Sequence, residues 1–208
     1  MIKVEHVSLT IKKQKILEDI CLEAARGEAV GLIGGNGCGK TMLMKCICGF
    51  HTTFTGRIMV AGRQICKDVE FAPSTGFILE TPGFIPYLSG LENLKILAGI
   101  NCSISLQDVR SYMELVGLEP DDKKSVKKYS LGMRQRLGIA QALMEDPEVL
   151  ILDEPFNGLD RGMLEKMRDV LCGEKEKGKT ILIASHNERD IEYICDRTYS
   201  MDAGRVVQ

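Results

Sequence analysis

The sequence predicts an α/β domain that is built on a largely parallel β-sheet and carries an inserted helical subdomain. Three observations lead to this prediction. The strand-like run 29–33 is followed by a glycine-rich loop and an amphipathic helix. Apolar strands return at 149–152 and 180–184, with a helix between them near 161–176. Residues 84–145, in contrast, are mostly helical and interrupt the alternation of strands and helices.

Two strands are predicted ahead of the glycine-rich loop, at 3–11 and 16–24, with a polar turn between them. The first alternates partly between apolar and polar residues, which is typical of an antiparallel strand with one exposed face. Beyond the loop and its helix, short strands are predicted at 56–60 and 62–65, around a tight turn. Another buried strand is predicted at 76–79, within a segment rich in proline and glycine.

Three helices are predicted in the interrupting block. Ser89 and Glu92 have the spacing of a capping box at the start of the first helix. The second helix is predicted at 105–116 and the third at 131–144. The last predicted elements are a helix near 187–195 and two short strands, at 197–202 and 205–207.

Length and composition narrow the class of protein. A chain of 208 residues can bury a substantial core, and we expect a single domain spanning 1–208. The 27 basic and 29 acidic residues are nearly balanced, which gives no electrostatic reason to expect a nucleic-acid partner. Neither a signal peptide nor an apolar run of about 18 residues is evident, so we expect a soluble, cytoplasmic chain.

The chain contains eight cysteines, and their spacing bears on metal binding. None of them forms a C-x-x-C pair, so a zinc or disulfide framework is not expected. We expect most of them to be small, buried apolar residues.

The glycine-rich loop matches the phosphate-binding P-loop pattern G-x-x-x-x-G-K-[ST]. Its glycines allow backbone N–H groups to point at phosphate oxygens, and the N-terminus of the following helix adds partial positive charge. We expect Lys40 to reach the β- and γ-phosphates and the Thr41 hydroxyl to bind Mg²⁺. An ordinary glycine-rich turn would not need the flanking strand and helix. The eight residues are Gly34, Gly35, Asn36, Gly37, Cys38, Gly39, Lys40 and Thr41.

Acidic and histidine side chains follow two of the predicted buried strands. Ligands of parallel sheets collect at the carboxyl ends of strands, so we expect Asp153 to hold Mg²⁺ opposite Thr41. Glu154 is expected to act as the general base that activates the water attacking the γ-phosphate. His186 is expected to contact the γ-phosphate and to fix that water. These residues predict ATP hydrolysis.

Further motifs, in a fixed order, resemble those of the ATP-binding subunits of ABC transporters. Residues 129–136, Y-S-L-G-M-R-Q-R, resemble the signature motif of this family. Residues 156–160, F-N-G-L-D, resemble its D-loop, and His186 occupies the position of its switch histidine. The resemblance covers essentially the whole chain. It implies a P-loop NTPase core, an antiparallel β-subdomain and an inserted helical subdomain at about 84–145.

The resemblance also implies that ATP is bound between two subunits. The two subunits would form a homodimer or, alternatively, a heterodimer. Each nucleotide would then lie between Lys40 of one chain and the signature motif of the other. The signature residues placed at the nucleotide in this way are Ser130, Gly132 and Met133, and the D-loop contributes Asp160.

Several positions depart from the pattern of the family. Leu131 and Met133 replace a glycine and a glutamine of the signature. Glu80 stands where glutamine is usual, and its carboxylate can still bind Mg²⁺ directly or through water. Met42 replaces a hydroxyl residue that contacts phosphate. The aromatic residue that stacks on adenine is replaced by Ile11, with Ile16 as the alternative apolar contact.

The signature together with Glu80 resembles one branch of the family, the bacterial exporters of bacitracin- or lantibiotic-type antimicrobial peptides. This implies ATP hydrolysis coupled to transport and a separate transmembrane permease subunit. The chain would then be attached peripherally to the inner face of the cell membrane. The alternatives are a soluble ABC ATPase of an iron–sulfur assembly system and a nucleotide-binding regulator without turnover.

Two further hypotheses concern single segments. In this family the permease inserts a short helix into a groove, here expected at 80–92, with Phe84, Ile85, Tyr87 and Leu88 as apolar contacts. The alternative is that these four side chains pack inside the helical subdomain. Cys38 lies in the phosphate cradle near Lys40, so its oxidation is expected to block ATP binding. The alternative is that Cys38 is only a small residue that the loop tolerates.

Overall fold

The computed structural model describes residues 1–101 and 104–207, and the predicted α/β class is confirmed. The strands are β1 (Ile2–Ile11), β2 (Gln14–Ala24), β3 (Ala29–Ile33), β4 (Thr55–Val60), β5 (Arg63–Gln64), β6 (Thr75–Ile78), β7 (Val149–Asp153), β8 (Thr180–Ala184), β9 (Arg197–Asp202) and β10 (Arg205–Val207). The helices are α1 (Lys40–Cys48), α2 (Gly90–Asn101), α3 (Leu106–Leu115), α4 (Leu131–Leu143), α5 (Arg161–Glu176) and α6 (Glu188–Ile194). Every element except α1 and α2, for which only a position along the chain was predicted, lies within two residues of its predicted bounds.

The larger sheet has six strands in the order β10-β9-β3-β8-β7-β6. Its neighbours pair in parallel except for β10, which pairs antiparallel with β9 at one edge. Every residue of β7 and β8 is buried. These strands are continuous apolar runs because both faces of a parallel sheet are covered.

The smaller sheet is antiparallel, in the order β2-β1-β4-β5. Buried and exposed residues largely alternate along β1, as predicted for a strand with one face toward the core. The β1–β2 pairing is irregular, with register shifts on both sides of Val7. His6 and Asp19, which lie at this irregularity, have positive φ angles of 50° and 52°.

Two apolar clusters cover the opposite faces of the larger sheet. Leu150 and Leu152 belong to the cluster that α2 to α6 complete, whereas Val149 and Ile151 belong to the cluster formed with α1 and the smaller sheet. This division follows from the two-residue period of a strand, which sends successive side chains to opposite faces. The strand ends are therefore held rigidly from both sides.

The helices of the interrupting block begin at capping residues. The predicted capping box of α2 is present, since Ser89 N–H donates to Glu92 Oε2 at 2.7 Å and Glu92 N–H donates to Ser89 Oγ at 3.3 Å. Ser105 and Asp108 form a second capping box at α3. Each box satisfies backbone donors that a helix start leaves free.

The expectation that most cysteines are buried is met by three of the seven that the structure describes, Cys38, Cys46 and Cys48. It is wrong for Cys21 and Cys66, which are exposed, because Cys21 faces outward on the antiparallel sheet. All seven are free thiols, and Cys102 lies outside the described residues. Burial raises the pKa of the Cys46 and Cys48 thiols to about 12, so both stay protonated near neutral pH.

The contact between β6 and α4 gives a test of this packing. A Cβ atom on Gly76 would lie 1.8 Å from the Ala142 carbonyl oxygen, so Gly76→Ala must push α4 away from the sheet. We expect it to lower the free energy of unfolding by about 3 kcal/mol in urea titrations. Gly173→Ala is the control, since it enters open space within α5 and should raise stability by about 1 kcal/mol. Equal effects of the two substitutions would contradict the packing described.

Candidate nucleotide-binding site

A cavity of about 660 Å³ lies where neighbouring parallel strands end. The P-loop follows β3, Asp153 ends β7, and Glu80 lies just beyond β6. The wall of the cavity includes residues 36–42, Asp153 and Glu154. The expected elements of a phosphate site therefore meet at one edge of the sheet, as ligand sites of parallel sheets do.

Lys40 is held by the loop that precedes it. Its side chain is 6% exposed, and its ammonium donates to the Gly34 carbonyl at 2.6 Å and to the Gly35 carbonyl at 3.2 Å. An ammonium has three donors and no acceptor, so it can exchange these carbonyls for phosphate oxygens. The loop itself needs glycine at position 34, because a Cβ there would lie 2.3 Å from the Met201 carbonyl oxygen.

Thr41 and Asp153 are brought together across 112 residues of chain. The Thr41 hydroxyl donates to Asp153 Oδ2 at 2.5 Å, and the Asp153 side chain is buried. A hydroxyl and a carboxylate at one point are the hard oxygen donors that Mg²⁺ prefers. The residues present therefore fit the ion that was expected between them.

Glu154 and His186 are in direct contact, which the sequence did not predict. His186 Nδ1 donates to Glu154 Oε2 at 2.8 Å, and the Glu154 side chain is 22% exposed. Glu154 has a positive φ of 48°, which is unusual for a residue with a Cβ and places it among the strained residues that cluster at functional sites. Its N–H donates to the Ala184 carbonyl at 2.8 Å, which ties it to β8.

The segment that carries His186 is anchored by a buried carboxylate. Asp190 is 3% exposed and accepts a hydrogen bond from Ser185 Oγ at 3.2 Å. Its other oxygen accepts from Arg168 Nε on α5 at 2.9 Å. Asn187 caps α6 by accepting from the Arg189 N–H. The turn after β8 is thus fixed on both sides of the imidazole.

Gln135 is a site residue that sequence reasoning missed. It lines the cavity, is 3% exposed, and donates from Nε2 to the Glu154 carbonyl at 3.0 Å. The bond links α4 to the residue expected to act as the base. A glutamine on the apolar face of a helix was the signal available in the sequence, since a buried amide requires partners.

Of the signature and the D-loop, Leu131, Gln135, Asn157 and Gly158 line this cavity. The residues expected at a partner's nucleotide, which are Ser130, Gly132, Met133 and Asp160, do not line it. Ser130 is exposed and caps α4 by accepting from the Met133 N–H at 3.2 Å. Asp160 caps α5 in the same way, through the Met163 N–H at 3.0 Å. Gly132 presses on the D-loop, since a Cβ there would lie 2.5 Å from the Gly158 carbonyl oxygen.

Glu80 lines the cavity and is paired with a lysine that the sequence analysis overlooked. Lys45 Nζ lies 2.6 Å from Glu80 Oε1, and Lys45 is on α1, one turn beyond Thr41. The pair places a positive charge beside the carboxylate that replaces the usual glutamine. Spacing alone did not indicate this contact, because 35 residues separate the two side chains.

Four further predicted residues are placed differently from one another. Ile16, the alternative apolar contact for the base, lines the cavity, whereas Ile11 does not. Ile11 pairs with Gln14 at the turn between β1 and β2. Met42 is in the cavity wall, and Cys38 is 6% exposed with its Sγ 3.7 Å from Lys40 Nζ.

The helices in the described ranges do not include one with the length and hydropathy that a membrane span requires.

Comparison with known proteins adds relatives over the whole length. The family model for ABC transporters matches residues 17–157. The chain is 40% identical to the ABC transporter ATP-binding protein YybJ of Bacillus subtilis, over 99% of this chain and 94% of the relative. It is 39% identical to the bacitracin transport ATP-binding protein BcrA of Enterococcus faecalis, over 100% of this chain and 68% of the relative. It is 34% identical to the lantibiotic transport ATP-binding protein SrtF of Streptococcus pyogenes, over 100% of this chain and 89% of the relative.

Solved structures share the fold. The dimeric structure of MJ0796, a bacterial ABC transporter cassette, superimposes with a TM-score of 0.91 at 22% identity and covers 100% of this chain and 97% of the other. A dimeric post-hydrolysis state of the same cassette, bound to ADP and Pi, gives 0.89 at 21%, with the same coverage. The family model spans more than half of the chain and the relatives span all of it, so this protein belongs to the ABC transporter family as an ATP-binding ATPase domain.

Proposed function

We propose that this chain is the ATP-hydrolysing subunit of a bacterial exporter of antimicrobial peptides. The observation that carries the ATPase assignment is the meeting of Lys40, the Thr41–Asp153 bond and the Glu154–His186 pair at one sheet edge. The cargo class is supported by the relatives named for bacitracin and lantibiotic transport. Both match this chain over its full length.

The phosphates of ATP would occupy the P-loop in place of the internal bonds of Lys40. The ammonium would leave the Gly34 and Gly35 carbonyls, to which it donates now, and bind the β- and γ-phosphate oxygens. Backbone N–H groups of residues 35–41 and the N-terminus of α1 would bind the remaining charge. Ile16 in the cavity wall would offer apolar contact to the base instead of an aromatic stack.

Thr41 and Asp153 would hold Mg²⁺, and Glu80 would reach it directly or through water. When bound, this ion neutralises charge on the β- and γ-phosphates. Lys45 holds Glu80 at 2.6 Å and so reduces the repulsion that a third carboxylate near the phosphates would add. We infer that Lys45 is what makes glutamate acceptable at this position.

Glu154 would take the proton of the attacking water, and His186 would orient that water and the γ-phosphate. His186 Nδ1–H already donates a hydrogen bond to Glu154 Oε2, which leaves Nε2 to face the nucleotide. Gln135 holds the Glu154 backbone and Asp190 holds the turn of His186, so both groups are positioned before ATP binds. Lys40 would stabilise the charge that develops on the transferred phosphoryl group.

Each nucleotide would be completed by a second copy of the chain, or by a related chain in a heterodimer. Ser130 is exposed and lies outside the cavity of its own chain, so it is free to face an ATP bound by a partner. The N–H groups at the start of α4, including those of Gly132 and Met133, form a second anion site there. Asp160 would lie at the same interface. MJ0796, which has the same fold, is dimeric.

A permease would hold the chain at the inner face of the cell membrane by docking on an exposed apolar patch. Leu88, Ile96 and Ile100 line one groove of this patch, and Tyr87, the chain neighbour of Leu88, extends it. Tyr87 is 77% and Ile100 is 72% exposed, whereas Leu88 is half-buried. Phe84 is partly buried against the core and is better explained by the internal packing considered as the alternative. We propose that residues 84–145 transmit the closure of the dimer to this patch as one helical subdomain.

Replacing the proposed base tests the assignment of Glu154. Glu154→Gln keeps the size of the side chain but cannot accept the proton, so ATP turnover should fall on the order of a thousandfold. The variant should accumulate as an ATP-bound dimer in light scattering with Mg-ATP. Glu165→Gln, on the exposed face of α5, is the control and should change neither result. Turnover that persists in Glu154→Gln would show that another group is the base.

The export function predicts a phenotype in cells. Expression of the chain in its source bacterium should raise the minimum inhibitory concentration of bacitracin- or lantibiotic-type peptides, because ATP hydrolysis drives their removal. The Glu154→Gln chain should not, although it binds ATP. Equal tolerance with both chains would refute export of these peptides, without bearing on the ATPase assignment.

The docking patch is tested by capture from solubilised membranes. The tagged chain should retain a polytopic membrane protein, and Tyr87→Asp should reduce its recovery more than about tenfold by placing a charge in an apolar contact. Val207→Asp, an equally apolar but distant exposed position, should not. ATP binding should be unchanged in both variants. Full recovery with Tyr87→Asp would exclude this patch.

A further inference from the structure

Three potential metal ligands converge on the outer face of the smaller sheet, away from the nucleotide site. His6 is on β1, and Asp19 and Cys21 are on β2, with all three exposed. Among the described residues, their ligand atoms form a group in which each atom lies within 4.8 Å of the others. The irregular pairing of β1 and β2 brings them together.

The local backbone is unusual at this point. His6 and Asp19 both have positive φ angles, a conformation that residues with a Cβ seldom adopt. The register shifts beside Val7 turn the side chains of the two strands toward one spot. Ser8 Oγ accepts from the Asp19 N–H at 2.9 Å and holds this arrangement.

The geometry is that of a ligand set rather than a catalytic relay. Asp19 Oδ1 lies 2.8 Å from His6 Nδ1, and Cys21 Sγ lies 3.7 Å from the same nitrogen. In a nucleophile–histidine–carboxylate relay the acid and the nucleophile bind opposite nitrogens of the ring. Here both approach Nδ1, so the imidazole cannot pass a proton between them, whereas a cation at their centre could bind all three.

Two of the three ligand separations are close to those of a zinc centre, and the third, between Asp19 and Cys21, is within 4.8 Å. With Zn–N and Zn–O of about 2.0 Å and Zn–S of about 2.3 Å, tetrahedral ligands lie roughly 3.3–3.6 Å apart. The observed separations of 2.8 and 3.7 Å need only small side-chain movements on exposed residues. The backbone N–H of His6 also donates to Cys21 Sγ at 3.3 Å and so helps to fix the position of the sulfur.

The negative charge of the neighbouring Glu5 carboxylate is already balanced by two cationic side chains, so this group is not needed as a ligand. Lys3 and Arg57 both bind it, and these hydrogen bonds lower the pKa of Glu5 to about 2. Asp19, by contrast, pairs with a histidine that can exchange its proton for a metal ion.

We propose that His6, Asp19 and Cys21 form an exposed binding site for a divalent transition-metal ion, with Zn²⁺ as the expected ion. The mixed nitrogen, oxygen and sulfur donors favour Zn²⁺ over the hard Mg²⁺ of the nucleotide site. A solvent molecule would complete the tetrahedron. On binding, the Cys21 thiol releases its proton to solvent. The neutral His6 ring loses its Nδ1 proton to solvent and gains one at Nε2 from solvent, which frees the Nδ1 lone pair for the metal bond without a net change in the protons on the ring.

The site is tested by cobalt substitution on the reduced, full-length protein. Co²⁺ bound through a thiolate gives a charge-transfer absorption in the near ultraviolet, which a cluster of oxygen and nitrogen ligands does not. We expect this band to saturate at one Co²⁺ per chain and to disappear when Zn²⁺ displaces the cobalt. Cys21→Ser should abolish the band, and His6→Asn should weaken binding about a hundredfold.

Matched controls separate this site from other metal ligands of the chain. Cys66→Ser and His51→Asn remove another exposed cysteine and another histidine, and both should leave the titration unchanged. Since His6 and Cys21 lie outside the nucleotide site, the His6→Asn and Cys21→Ser variants should keep wild-type ATP turnover. This activity also shows that the two variants fold. A band that survives in Cys21→Ser, or no thiolate band in the wild-type protein, would overturn the proposal.

Discussion

The parallel alignment of neighbouring strands β3, β8, β7 and β6 is the constraint on which the site depends. Register pairing places Asp153 at the end of β7 beside Ala184 at the end of β8, so the residues that follow emerge together. Since successive side chains of a strand face opposite ways, a one-residue slip would turn Asp153 away from Thr41. The apolar clusters on the two faces of the sheet hold this register, because each strand contributes alternate residues to both.

The electrostatics of the cavity follow from that alignment. Strand ends bring Asp153, Glu154 and Glu80 to the place where a triphosphate would bind, which is unfavourable for like charges unless cations intervene. Lys40, Lys45 and the N-terminus of α1 supply positive charge from the chain itself. The cavity is thus poised to bind a nucleotide together with a cation.

The contacts made by α4 link the signature motif to the sheet edge that carries Glu154. Gln135 joins the helix to the Glu154 backbone, and Gly132 packs on the D-loop, so the helix is coupled to the catalytic edge. Ser130, at its start, faces solvent instead of this cavity. A partner chain that engages Ser130 would therefore act on Glu154 through one rigid helix.

The sequence by itself determined the α/β class and, for every element except α1 and α2, the bounds to within two residues. It also singled out the P-loop, Asp153, Glu154 and His186 as candidate site residues, because buried strands, glycine loops and strand-end polar residues leave local patterns. Only the tertiary structure decided the Glu154–His186 and Lys45–Glu80 contacts, the hydrogen bond from Gln135 to the Glu154 carbonyl, and the presence of Ile16 rather than Ile11 in the cavity wall. It also brought His6, Asp19 and Cys21 together. Contacts between residues distant in the chain depend on strand order, twist and register, which no local pattern of residues encodes.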